Sequence, residues 1–88
     1  MKVQILGRGC PKCKKLEENT RDMLEQMEEE EDPPLDPDDI KIEKIYDLQK
    51  ASSMGMMSAP GLAIDGELKK QGNVLNPGEI REVIEDEA

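Results

Sequence analysis

The chain contains no tryptophan, no phenylalanine and no histidine, and only one tyrosine, Tyr46. A core must therefore come from Ile, Leu, Val, Ala and Met, and with 88 residues it will be thin. Positive charge is also scarce: 12 Lys and Arg stand against 21 Asp and Glu, a net charge of -9. That balance argues against nonspecific binding to nucleic acid or an anionic membrane, both of which attract Lys and Arg. No apolar run approaches transmembrane length, and Met1-Lys2-Val3-Gln4-Ile5-Leu6 is too short and too polar for the apolar part of a signal peptide. A cytoplasmic, monomeric protein with protein partners is expected, free of nucleic acid and membrane. The apolar residues are nevertheless grouped in short periodic segments, which indicates a folded domain over residues 1–88.

Cysteine is almost as scarce, and both copies fall in Cys10-Pro11-Lys12-Cys13. In a reducing compartment a lone pair at this spacing serves as a redox or metal-binding dithiol more often than as a structural staple. Two thiols three positions apart at a helix start lie on one face, close enough to close a disulfide or share an ion.

The periodicities place this motif. Lys2 to Leu6 alternates polar and apolar residues and stops at Gly7-Arg8-Gly9, predicting a strand and a turn. From Pro11, Leu16, Thr20, Met23, Leu24 and Met27 recur at helical spacing, with Lys14, Glu18, Arg21 and Glu25 facing water. Residues 28–39, acidic and proline-bearing, predict a solvated helix end and loop. Ile40, Ile42, Lys44 and Tyr46 outline a second strand, with Ile45 breaking the alternation and expected at its end. A short helix follows, capped by Asp47, with Leu48 and Ala51 facing inward and an end at Met54-Gly55. Asp65-Gly66 between Pro60-Gly61-Leu62-Ala63-Ile64 and Glu67-Leu68-Lys69-Lys70 is a hairpin signature. Asn76, Pro77 and Glu79 open a last helix with Ile80, Val83 and Ile84 inward. The order β-α-β-α-β-β-α predicts an α/β fold: a right-handed crossover makes the first two strands parallel, and the hairpin completes a four-stranded mixed sheet with helices on both faces.

The stretch Ile5-Leu6-Gly7-Arg8-Gly9-Cys10-Pro11-Lys12-Cys13-Lys14-Lys15-Leu16-Glu17-Glu18, followed by Met57-Ser58-Ala59-Pro60-Gly61-Leu62-Ala63-Ile64-Asp65-Gly66, resembles the small thioredoxin-like, glutaredoxin-sized redox-active disulfide proteins over nearly the whole chain. The resemblance implies a thioredoxin fold and a protein disulfide reductase. It implies a cis Ala59–Pro60 bond beside the cysteines, with the Ala59 backbone binding an extended substrate. The partners implied are disulfide-containing proteins and an upstream electron donor such as a reductase, with no cofactor beyond the Cys10-Cys13 couple and no metal.

The chemistry of Cys10 also follows from its position. At a helix start its sulfur meets unpaired N–H groups and the positive dipole end, which favour thiolate. Arg8, Lys12, Lys14 and Lys15 push the same way, or are solvated charges balancing Glu17 and Glu18. Cys13, one turn further in, suits a resolving thiol. Met54, Met56 and Met57 are either core filling or a soft surface for varied partners. No acid lies in the first strand to accept a proton beneath Cys13; Gln4 is its one polar interior candidate. Two rival uses stay open: a soft-metal carrier or sensor for Cu(I) or zinc, for which the chain offers no His and no third Cys, and a noncatalytic adaptor.

Overall fold

A computed structural model describes residues 1–33 and 35–87. Its strands are β1 (Lys2–Leu6), β2 (Lys41–Ile45), β3 (Gly61–Ile64) and β4 (Glu67–Gln71), and its helices are α1 (Pro11–Glu29), α2 (Leu48–Ser53) and α3 (Pro77–Glu87). The sheet order is β2-β1-β3-β4. β1 runs parallel to β2, with Val3 opposite Ile42, and antiparallel to β3, with Gln4 opposite Ala63. β3 and β4 form the expected hairpin, with a register shift between Leu62 and Ala63. Asp65 and Gly66 take φ 51° and 88°, the left-handed pair that a two-residue hairpin turn demands.

Side chains alternate across the sheet and build a core on each face. Val3, Ile5, Leu62 and Ile64 pack with Leu16, Met23 and Met27 of α1 and Ile80 and Ile84 of α3. Leu6, Ile45 and Ala63 point the other way, against Ala51 of α2 and Met56. Ile45 is the last residue of β2 and supplies the second face, so the broken alternation records a strand covered on both sides, while Ile40 and Tyr46, expected in the strand, flank it. Every residue of β1 from Val3 to Leu6 is buried for the same reason.

Local chemistry sets the helix ends. Asp47 accepts from the amides of Gln49 and Lys50. Asn76 and Glu79 form a reciprocal capping box, Glu79 N–H to Asn76 Oδ1 at 2.8 Å and Asn76 N–H to Glu79 Oε1 at 3.2 Å. Within the acidic stretch, α1 continues to Glu29 and Pro37–Asp39 form a 3-10 turn. Glu30 receives a two-pronged contact from Arg81 of α3, at 2.5 and 2.7 Å, tying the end of α1 to the last helix.

Two side chains, Leu48 and Asn19, depart from expectation, while Gln4 is interior as expected. Leu48, expected inward, is 44 % exposed at the first residue of the six-residue α2, in which only Ala51 is buried. Asn19, absent from the predicted inner stripe, is buried and donates its Nδ2 to the Leu75 carbonyl at 2.9 Å. Gln4 is buried too, and its carboxamide oxygen accepts from Gly66 N–H at 2.7 Å. Among the described residues no helix is long and apolar enough to cross a membrane.

Candidate active site

The first arm of the site is the turn that carries the chain from β1 into α1. Gly7 is buried, and its N–H donates to the Ile45 carbonyl at 3.1 Å, extending the parallel pairing past the strand end. A Cβ at Gly7 would collide with Cys13 Sγ and would sit 3.2 Å from Cys13 Cβ. Only a residue without a side chain lets the buried cysteine lie against the strand end. Gly9 takes φ 76°, a left-handed conformation that directs Cys10 onto the start of the helix.

Cys10 is the N-cap of α1, in extended conformation at φ -68° and ψ 165°. Its Sγ accepts from the Cys13 N–H at 3.3 Å, while its carbonyl accepts from Lys14 N–H at 2.9 Å. Pro11 occupies the next position, where its missing N–H sacrifices no helical bond. The two cysteines are joined as a disulfide with their Cα atoms 5.0 Å apart. They are unequal in surroundings: Cys10 is half-buried, whereas Cys13 has 0 % exposure.

The second arm is the loop from α2 to β3. The Ala59–Pro60 bond is cis. Pro60 is buried and its carbonyl accepts from Gly72 N–H at 2.9 Å, while Ala59 is half-buried at the surface of the site. Ala59 and Cys10 line one cleft of about 630 Å³, whose other walls are Arg8, Leu48, Ser52, Met56 and Met57. A shallower depression of about 480 Å³, bounded by Leu48, Gln49, Ser52 and Ser53, adjoins it along α2.

The three methionines divide. Met56 belongs to the core, Met54 packs partly against it, and Met57 is 90 % exposed at the cleft. Gln71 at the end of β4 has a part that sequence reading does not assign: its Oε1 accepts from the amides of Met57 at 2.7 Å and Ser58 at 3.1 Å. It holds the loop that leads into Ala59 and Pro60, and no local pattern announces a contact that spans 14 residues.

Tyr46 and Glu17 support the first arm. The Tyr46 ring lies beside Gly9, with its Cδ2 3.5 Å from where a Cβ would stand there. The phenol donates to Glu17 Oε2 at 3.3 Å, and Glu17 also pairs with Arg21 at 3.2 Å and Lys44 at 3.7 Å. Burial, followed by the negative charge of Glu17 and its hydrogen bond, pushes the phenol above its ordinary value of 10.0.

The basic cluster also resolves into parts. Lys15 pairs with Glu18 at 3.7 Å. Arg8, Lys12 and Lys14 are exposed and, among the described residues, make no ion pair. Arg8 reaches the cleft, while Lys12 and Lys14 stand on the exposed first turn of α1 outside its walls. Gln4 is directed toward the Asp65-Gly66 turn, at the end of the sheet away from the cysteines. Among the described residues, no three His, Cys, Asp or Glu side chains are grouped to hold a metal ion.

Comparison with known proteins matches residues 1–85 to the family model described as a thioredoxin domain. A curated protein named thioredoxin, from Methanothermobacter thermautotrophicus, is 36 % identical over 84 residues, spanning 96 % of this chain and 97 % of that one.

Proposed function

Because the chain belongs to the thioredoxin family and is a thiol–disulfide oxidoreductase, we propose that it reduces disulfides of partner proteins, with Cys10 as the attacking thiolate and Cys13 as the resolving thiol. The observation that carries this reading is the asymmetry of the pair. Cys10 Sγ opens to the cleft at a helix N-terminus, and Cys13 is fully buried behind it.

The reduced dithiol reacts in two displacements. Cys10 thiolate attacks one sulfur of the substrate disulfide; that S–S bond breaks, a Cys10–substrate disulfide forms, and the other substrate sulfur leaves as thiolate and takes a proton from water. Cys13 then loses its proton and attacks Cys10 Sγ, closing Cys10–Cys13 and releasing the second substrate thiol. Two electrons pass from the pair to the substrate, and a dithiol electron donor, such as a reductase, restores the pair. No further cofactor or metal enters this scheme.

The residues around the pair have defined tasks. The Cys13 N–H that faces Cys10 Sγ, the helix dipole and the cations Arg8 and Lys12 all favour a negative sulfur at Cys10. The Ala59 backbone, one wall of the same cleft, hydrogen-bonds an extended substrate segment, and Pro60 seats Ala59 there. The helix start near Cys13 offers no carboxylate from β1, so water reaching the site through the cleft takes the proton of Cys13. The protein acts as a monomer in the cytoplasm, away from nucleic acid and membrane.

The test is trapping. Cys13→Ser, reduced and offered a protein disulfide, should accumulate a mixed disulfide that maps to Cys10 and is released by dithiothreitol, whereas Cys10→Ser should form none. Absence of the adduct, or equal trapping by both variants, overturns the assigned roles.

A further inference from the structure

We propose that the cleft selects protein disulfides with an Asp or Glu beside the reacting cysteine, and that Arg8 receives that carboxylate. The inference rests on the reductase reading and names the substrate class of the same site.

The chain has three arginines. Arg21 is engaged by Glu17, and Arg81 by Glu30 and Glu85. Arg8 alone, among the described residues, donates to no acceptor, although 21 carboxylate side chains are present in the sequence. Among the described residues it is also the one charged wall of the cleft that contains Cys10; the others are Leu48, Ser52, Met56, Met57 and Ala59. A guanidinium offers a planar fork matched to a carboxylate, and a two-pronged pair of this kind is stronger than a single contact.

The charges nearest the site support the same occupant. A net charge of -9 repels acidic partners from most of the surface. Screening confines charges to a reach of about 8 Å at physiological ionic strength, so an approaching segment responds to what lies nearest. Around Cys10 that is Arg8, with Lys12 and Lys14 on the first turn of α1. A segment with an apolar side chain against Leu48 and Met57 and a carboxylate at Arg8 complements the apolar and the charged walls of the cleft.

The experiment compares two disulfide peptides that differ only in Asp or Asn next to the cysteine, reduced in single turnover by the dithiol protein. The quantity read is the ratio of their rates. Any influence of Arg8 on the Cys10 thiolate scales both rates alike and cancels from that ratio. The wild-type protein should favour the Asp peptide about twofold to fivefold at low ionic strength, falling as salt rises. Arg8→Gln should bring the ratio to about one, and Arg8→Glu should invert it. A wild-type ratio near one, or a ratio that Arg8→Gln leaves unchanged, overturns the inference while leaving the reductase reading standing. Failure to reduce either peptide or any protein disulfide removes the reductase reading, and this inference with it.

Discussion

Replacing Gly7 by Ala tests how closely the buried cysteine is fitted to the end of β1. The added methyl would overlap Cys13 Sγ and lie 3.2 Å from Cys13 Cβ. Neither neighbour can yield freely, because Cys13 is fully buried in the first turn of α1 and Gly7 is tethered by its N–H to the Ile45 carbonyl. Strand and helix must separate locally, and overpacking of this kind costs about 1–3 kcal/mol. In a chain of this size each kcal/mol lowers Tm by roughly 4–8 °C. The measurement is thermal or urea unfolding under dithiothreitol, so that the disulfide plays no part, on Gly7→Ala, Cys13→Ala and the double variant. Removing Sγ relieves the worse of the two contacts, so Gly7→Ala should cost at least about 1 kcal/mol less in the Cys13→Ala background. Additivity to within about 0.5 kcal/mol, or a Gly7→Ala protein as stable as wild type, would refute the reasoning.

Gln71→Ala removes the acceptor shared by the Met57 and Ser58 amides. Both amides are at the surface, so stability should fall by no more than about 1.5 kcal/mol, yet hydrogen exchange at these two amides should accelerate and peptide-disulfide reduction should slow; unchanged exchange would show that Gln71 does not hold the loop. Tyr46 is the only aromatic residue, so its ionisation can be followed by ultraviolet absorbance without interference. Its midpoint should lie above 10.0 and move down toward that value in Glu17→Gln. Because the folded value is raised, the contribution to stability is complete below the unfolded value near 10 and is lost as pH rises through the higher folded one. A midpoint insensitive to Glu17→Gln would dissociate the pair.

Several features were legible because their causes are local. The Asp65-Gly66 turn, the Asp47 cap and the Asn76–Glu79 box each depend on residues within three positions of one another, and the structure has all of them. The cysteine pair belongs to the same class, since its spacing and the helix start put both sulfurs together. The cis Ala59–Pro60 bond was accessible only through family resemblance, because no neighbouring residue encodes it. Ile45 ends β2 as its broken alternation indicated, whereas the strand's predicted reach to Ile40 and Tyr46 and the inward Leu48 went astray. An alternation rule assumes one buried face, whereas β2 contributes to both cores, and an inward helical stripe assumes a helix long enough to be covered along its length.

The amino-acid sequence by itself determined the elements, their order and the redox pair, because hydrophobic period, capping and turn chemistry act over a few residues. Tertiary structure alone decided what the buried Asn19 and Gln4 side chains bond to and what surrounds Cys10. Asn19 meets the Leu75 carbonyl across 56 positions, and Gln4 meets Gly66 across 62. The cleft joins Arg8, Leu48 and Ala59 only because parallel pairing of β1 with β2 and antiparallel pairing of β1 with β3 bring three distant chain segments to one end of the sheet.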